Sequence, residues 1–275
     1  MIDHTVTLNN GVKMPVLGLG VYLATDANEM QNAVNYAMEA GYRSFDTAQM
    51  YHNEELLGEA LELSGVPRKE YFLTSKVDTC NMGYENTRRT FQESLKKLRT
   101  DYFDLFLIHW PGQRKERLIE SWRALEEFYK EGKARAIGVC NCLPRHLNWI
   151  MEECEVVPAL NQIERHPLWN PTELFAWCKE RGIQPEAWAP LIRGSFDIPA
   201  IQELAAKYKK TGAQIILRWD VQSGYVVIPK SVHKERIEEN ADIFDFELEQ
   251  DDMKLIDGLH TGFTTGWDLE TYDYE

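Results

Sequence analysis

The feature that most constrains this chain is a regular alternation of short apolar runs with stretches of helical periodicity. Apolar runs begin near Val16, Arg43, Phe72, Phe103, Ala134, Ala159, Gln184 and Tyr225. Between them, residues 30–40, 87–98, 119–129 and 201–208 space apolar side chains three and four apart, as in a helix that buries one face. Strands that alternate with helices run parallel, because each helix carries the chain back across the sheet. Eight such units in 275 residues favour an α/β fold closed on itself, a (β/α)8 TIM barrel, over an open sheet. Ahead of the first unit, Thr5 to Leu8, Asn9-Asn10-Gly11 and Val12 read as an N-terminal β-hairpin, since Asn-Gly accepts the positive φ of a tight turn. The expectation is a single barrel domain over residues 1–275, with the hairpin at 1–15 and a C-terminal tail at 260–275.

Charge and cysteine usage narrow the partners. The net charge of −14 argues against nucleic acid, whose phosphates favour basic surfaces. An acidic chain can still hold an anionic cofactor, but only through a local basic cluster. Five cysteines, an odd number without a Cys-x-x-Cys pair, read as reduced thiols and a cytoplasmic location. Cys140 and Cys142 lie in an apolar run and read as packing residues, so no metal is expected. The N-terminus lacks the basic and apolar blocks of a signal peptide, and no apolar stretch approaches the roughly 20 residues of a membrane span.

In a barrel, chemistry gathers where strands end, at the carboxyl face. Asp46, Lys76 and His109 each close an apolar run, and Asn161, Gln162 and Glu164 surround Ile163 at another. Any one of them alone also suits a structural ion pair or a capped strand. Together on one face they suit chemistry. Tyr51 follows Asp46 in the same loop. A tyrosine hydroxyl has a pKa of about 10, too high for ready proton exchange at neutral pH. An ammonium about 4 Å away favours the phenolate by about 4 kcal/mol at an effective dielectric of 20, roughly 3 pKa units. Asp46 would keep Lys76 charged and give back part of that shift. Tyr51 is then expected to donate a proton to a carbonyl oxygen that His109 also contacts, with hydride arriving from a nicotinamide.

The Rossmann fingerprint is absent, since Gly18-Leu19-Gly20 lacks a third glycine, and no Walker loop or metalloprotease motif occurs. The most concentrated basic patch is Ile228-Pro229-Lys230-Ser231-Val232-His233-Lys234-Glu235-Arg236, after the last strand. Barrels commonly bind phosphate there. Lys230, Ser231 and Arg236 are expected to grip a ribose 2′-phosphate, although the same charges also suit a solvated helix start.

These residues resemble the aldo-keto reductase superfamily over nearly the whole chain, to about Leu259. The segments that carry the resemblance are Gly41-Tyr42-Arg43-Ser44-Phe45-Asp46-Thr47-Ala48 with Tyr51, then His109-Trp110-Pro111, Ala136-Ile137-Gly138-Val139, Asn161-Gln162-Ile163-Glu164 and Ile228-Pro229-Lys230-Ser231. The pattern is most similar to microbial members that resemble 2,5-diketo-D-gluconate reductases. The resemblance implies NADPH as cofactor, Tyr51 as acid aided by Lys76 and Asp46, and His109 orienting the carbonyl. It implies that Asn141 and Gln162 hold the nicotinamide carboxamide and that Trp188 stacks on the ring. The loop 191–195, with Leu191 and Gly194, would lie over the pyrophosphate. Lys230, Ser231, Arg236, Glu239 and Asn240 would bind the adenosine end. Tyr22, His109 and Trp110 would touch a small carbonyl substrate, and the chain would act as a monomer.

Departures from the family pattern concentrate near the pocket. Cys140 and Cys142 replace a serine and an aromatic around Asn141, and Cys140 would donate a weaker hydrogen bond. Val77-Asp78-Thr79 follows the lysine where relatives have tryptophan, which implies a wider, more polar wall. Tyr22 stands where a tryptophan is common. The tail, with Trp267, Tyr272 and Tyr274, would either fold over the barrel mouth or pack on the surface. Two other functions fit parts of the pattern: a cofactor-binding regulatory subunit with little turnover, and a lysine Schiff-base aldolase. The complete set of Tyr51, Lys76, Asp46 and His109 argues against the first, and the phosphate patch with Trp188 against the second.

Overall fold

The computed structural model describes residues 4–273. Strands β1 (Thr5–Thr7) and β2 (Lys13–Pro15) pair antiparallel, as the Asn-Gly turn implies. Gly11 takes a φ of +86°, and its N–H donates to Leu8 O at 2.9 Å. The turn is fastened to the barrel by Asn9, which donates to Pro158 O, and by Asn10, which donates to Arg135 O.

Eight parallel strands follow: β3 (Leu19–Gly20), β4 (Ser44–Asp46), β5 (Phe72–Val77), β6 (Phe103–Ile108), β7 (Ala134–Cys140), β8 (Leu160–Glu164), β9 (Gln184–Trp188) and β10 (Val226–Val227). Each neighbours the next in chain order. Parallel bridges from Leu17 to Val227 and from Gly20 to Lys230 join the last strand to the first. That seam depends on glycine: a Cβ on Gly20 would lie 2.9 Å from Ile228 O. The short edge strands β3 and β10 therefore close the barrel by backbone approach rather than by a long ladder.

The helices are α1 (Ala27–Glu39), α2 (Glu54–Leu63), α3 (Tyr84–Lys97), α4 (Lys115–Lys130), α5 (Pro144–Glu153), α6 (Thr172–Glu180), α7 (Pro199–Tyr208), α8 (Gly212–Gln222), α9 (Lys234–Ala241) and α10 (Gln250–Asp257). Helix α1 shows why these segments coil. Asp26 caps it, accepting from the N–H groups of Asn28 and Glu29 at 2.9 Å, a contact worth about 1 kcal/mol. Met30, Ala33, Val34 and Ala37 then recur at helical spacing and are buried against the sheet.

Strand side chains alternate, so residues two apart share a face. Leu8, Met14, Phe72, Leu105, Leu107, Ala136, Leu160 and Val226 form one buried cluster that fills the barrel interior, with the hairpin at its base. Continuing the same faces by two residues gives the upper layers. Phe72 leads through Thr74 to Lys76, Leu107 to His109, Leu160 through Gln162 to Glu164, and Gln184 through Glu186 to Trp188. Apolar packing holds the lower barrel, and polar groups occupy the carboxyl end.

Beyond α10 the tail returns over that end. Thr261 N–H donates to Leu168 O at 3.0 Å, and Gln113 Nε2 donates to the carbonyls of Glu270 and Tyr272 at 3.1 and 3.0 Å. Arg145 pairs with the Glu270 carboxylate. Of the two expectations for the tail, the fold over the barrel mouth is the one observed. Tyr274 lies outside the described residues.

Candidate active site

Lys76 sits at the centre of the carboxyl end, fully buried. Its ammonium donates to Asp46 Oδ1 at 2.5 Å, to Thr47 O at 2.9 Å and to Tyr51 Oη at 3.4 Å. Burial works against the lysine charge, but Asp46 and then Tyr51 raise its pKa above the ordinary ammonium value. The ion pair is therefore kept charged in a dry interior. Tyr51 is half-buried, with its ring 5.0 Å from Tyr22 and 5.4 Å from His109, the latter edge-on. All four residues expected to act together do meet.

The acidity of Tyr51 departs from expectation. Burial pushes the phenol up to about 12 and outweighs Lys76, which pulls it down, while Asp46 and Cys140 push it further up. A Coulomb argument from one partner misses the cost of placing a phenolate in packed protein. Tyr51 thus holds its proton at neutral pH, with the Lys76 ammonium 3.4 Å from its oxygen. Burial, and then the Lys76 charge, hold the His109 pKa well below the usual imidazole range. A neutral imidazole has one N–H to offer, and His109 Nδ1 is buried without a protein partner.

Around this centre, Gln162 donates to Asp46 Oδ2 at 3.0 Å, and Asn141 donates to His109 O at 3.1 Å. Asn141 holds a left-handed φ of 59°, and its Oδ1 accepts from Trp188 Nε1 at 2.9 Å. The Asn141 oxygen is thereby engaged, and one N–H is left for a ligand. Ala189, Ile192 and Arg193 all have φ near +50°, strain that non-glycine residues carry only where the surroundings impose it. This is the loop that holds Leu191 and Gly194. Lys230 and Arg236 are exposed, and neither makes an ion pair among the described residues. Ser231 is buried and accepts from His233 N–H, shaping the turn into α9. Asn240 is also buried, while Glu239 accepts from Thr211 Oγ1 at 2.7 Å.

The matching pattern decides the family. The pattern described as Aldo/keto reductase family covers residues 16–261. The chain belongs to the aldo/keto reductase family. It is 51% identical to a glyoxal reductase of Bacillus subtilis (strain 168), over 94% of each chain. The crystal structure of MGS-M4, an aldo-keto reductase enzyme from a Medee basin deep-sea metagenome library, superposes with a TM-score of 0.94 at 41% identity, covering 98% of this chain and 100% of that one. A Bombyx mori aldo-keto reductase solved in complex with NADP has a TM-score of 0.89 at 33% identity, over 94% of each chain.

In this aldo/keto reductase the Asp78 carboxylate accepts from Cys80 N–H at 3.2 Å and caps the turn that follows β5. Trp110 is buried, with Tyr272 at 4.5 Å and Trp267 at 5.3 Å between ring centres. Tyr22 and Trp267 stand at the rim, each about half exposed. Asn161 is not part of the site. It ties β8 to the segment that follows β7 by hydrogen bonds to the Cys142 backbone.

Two features escaped the sequence. Glu164 latches the tail, accepting from Thr265 N and Oγ1 at 2.6 Å and from Gly266 N at 3.1 Å. Only glycine fits at 266, since a Cβ there would lie 2.5 Å from the Trp188 ring. The second feature is Glu186, a carboxylic acid inside the barrel that accepts from Gln162 at 2.8 Å. A charge in the middle of the apolar run 184–188 was the available signal for it.

Proposed function

We propose that this aldo/keto reductase reduces small aldehydes and ketones, α-dicarbonyls such as glyoxal among them, with Tyr51 as proton donor and NADPH as hydride source. The observation that carries the assignment of roles is the dry Lys76–Asp46 pair set against the Tyr51 hydroxyl. A carbonyl oxygen between Tyr51 and His109 gains negative charge as hydride reaches its carbon. The phenol proton moves to that oxygen, and Lys76 stabilises the phenolate left behind. Asp46 fixes Lys76 and keeps it charged. Proton exchange with solvent reloads Tyr51.

The cofactor fits residues already in place. Among the described residues Lys230 and Arg236 are cations without carboxylate partners, suited to a 2′-phosphate, with Ser231, Glu239 and Asn240 around the adenosine end. The strained loop 189–195 suits the pyrophosphate, while Trp188, Asn141 and Gln162 suit the nicotinamide. Bound there, NADPH supplies the hydride. With NADPH and NADH compared, Arg236→Ala is expected to raise KM for NADPH about 30-fold and for NADH less than about threefold, because a charge-assisted fork to phosphate is lost. An equal loss for both cofactors would remove the 2′-phosphate role.

Substrate choice is assigned to the mouth. Tyr22, Trp110, Trp267 and Tyr272 form an aromatic wall suited to small uncharged carbonyls, and the similarity to a glyoxal reductase supports the same class. NADPH consumption with glyoxal, methylglyoxal, simple aldehydes and sugar-derived ketones tests this, run on the full chain and on a truncation after Leu259. The truncation is expected to shift the preference between small and bulky carbonyls by about tenfold, the scale of a lost apolar pocket contact. An unchanged profile would exclude the tail from the wall.

We also propose that the chain works as one barrel domain, in the cytoplasm, as a monomer without a nucleic acid partner. Five free thiols and a net charge of −14 support this. Away from the mouth, the large exposed apolar side chains Leu63, Val157 and Leu255 lie on separate segments. Among the described residues, no helix is long and apolar enough to cross a membrane, and no group of His, Cys, Asp or Glu is arranged to hold a metal.

A further inference from the structure

Strand β9 carries a carboxylic acid that the proton and hydride chemistry leaves unused. Glu186 is 1% exposed and stands in direct register with Gln162 of β8. A glutamine amide has two N–H donors and one carbonyl oxygen. Here Nε2 donates one hydrogen to Asp46 Oδ2 at 3.0 Å and the other to Glu186 Oε2 at 2.8 Å. Both donors are therefore spent inside the barrel. The carbonyl Oε1 meets Cys140 Sγ at 3.8 Å, a weak donor that leaves acceptor capacity unused. Turning the amide over would set its oxygen against the Asp46 carboxylate. The Asp46 carboxylate thus selects one orientation, and Glu186 gives the second N–H its partner.

We propose that Glu186 is a positioning residue for hydride transfer, holding the Gln162 amide so that it presents only its carbonyl oxygen to the nicotinamide carboxamide. This rests on the assignment of Gln162 as a carboxamide contact. Glu186 fills the role as a neutral acid. Burial, and then the Asp46 charge, push its carboxyl up to about 8, against the pull of Gln162 and Lys76. Cys140 of β7 is the remaining titratable group coupled to it, and Val226 of β10 lies beside it in register. At neutral pH Glu186 accepts the Gln162 bond without adding a second negative charge beside Asp46. Glutamine at this position would copy both the shape and the acceptor. Leucine would copy the bulk alone and leave a buried N–H without a partner.

Binding of NADP+ is compared with binding of 2′-phospho-ADP-ribose, which lacks the nicotinamide, by quenching of tryptophan fluorescence in the full chain. In Glu186→Leu, NADP+ is expected to bind about tenfold more weakly while the fragment stays within about twofold, and kcat falls by about tenfold. Glu186→Gln is expected to restore most of the NADP+ affinity and of kcat. Equal weakening of both ligands would mark general damage to the barrel and overturn the proposal, as would wild-type NADP+ affinity in Glu186→Leu. Should leucine prevent folding, Glu186→Met gives the same comparison with a more adaptable side chain. Gln162→Ala runs alongside. If it leaves NADP+ affinity intact, the assignment of Gln162 falls and the proposal with it. If it weakens NADP+ where Glu186→Leu does not, the role of Glu186 alone is overturned.

Discussion

Replacement of Tyr51 by phenylalanine is expected to lower kcat for carbonyl reduction by about 10³-fold, within the range that general acid catalysis supplies. NADPH affinity and stability are expected to stay close to wild type, and the structure gives the reason. The Tyr51 ring packs on Tyr22 and His109, and phenylalanine keeps both contacts. The lost hydroxyl accepts only a long 3.4 Å bond from Lys76, which retains Asp46 at 2.5 Å and Thr47 O at 2.9 Å. No buried donor is orphaned, so the stability change should stay within about 1 kcal/mol. Steady-state turnover, NADPH titration and thermal melting read the three quantities separately. Wild-type turnover in Tyr51→Phe would refute the acid assignment and leave His109 as the candidate donor. A large loss of NADPH affinity would instead place Tyr51 among the cofactor contacts.

Much of this design is legible in the sequence because strand periodicity carries it. A run such as Phe72–Val77 reads as a buried strand, and a polar group two residues beyond an inward-facing position must lie on the same face. That logic finds Asp46, Lys76 and His109. It works less well for β3 and β10, two residues each, where closure depends on the close approach of Gly20 to Ile228. Contacts between distant segments are not legible. Nothing in Thr265-Gly266 signals that Glu164, 101 residues earlier, accepts its N–H and hydroxyl hydrogens. Glu186 looks like any charged residue until register places it beside Gln162, 24 residues away. The acidity of Tyr51 failed for a related reason. A Coulomb partner can be named from sequence, but desolvation sums over every group packed around the hydroxyl.

Lys76→Met separates the two tasks of the central ion pair. On its own it is expected to cost about 3–5 kcal/mol of stability, because among the described residues the buried Asp46 carboxylate keeps only the side chain of Gln162 as a hydrogen-bond donor. Turnover is expected to fall by about 10³-fold, since a charge worth about 4 kcal/mol to the forming phenolate is gone. Low activity could then follow from damage to the fold as readily as from lost catalysis. Adding Asp46→Asn resolves this. The double variant has no uncompensated charge, and asparagine can still accept from Gln162 through its side-chain oxygen. Most of the lost stability should return, measured by urea denaturation, while turnover should not. Recovery of both would make Lys76 a purely structural residue. If neither stability nor turnover recovers, the cost of an unpaired Asp46 is not what destabilises Lys76→Met. Stability regained without activity would mean that the ammonium acts on Tyr51 itself, and that Asp46 matters to the reaction through the lysine it holds.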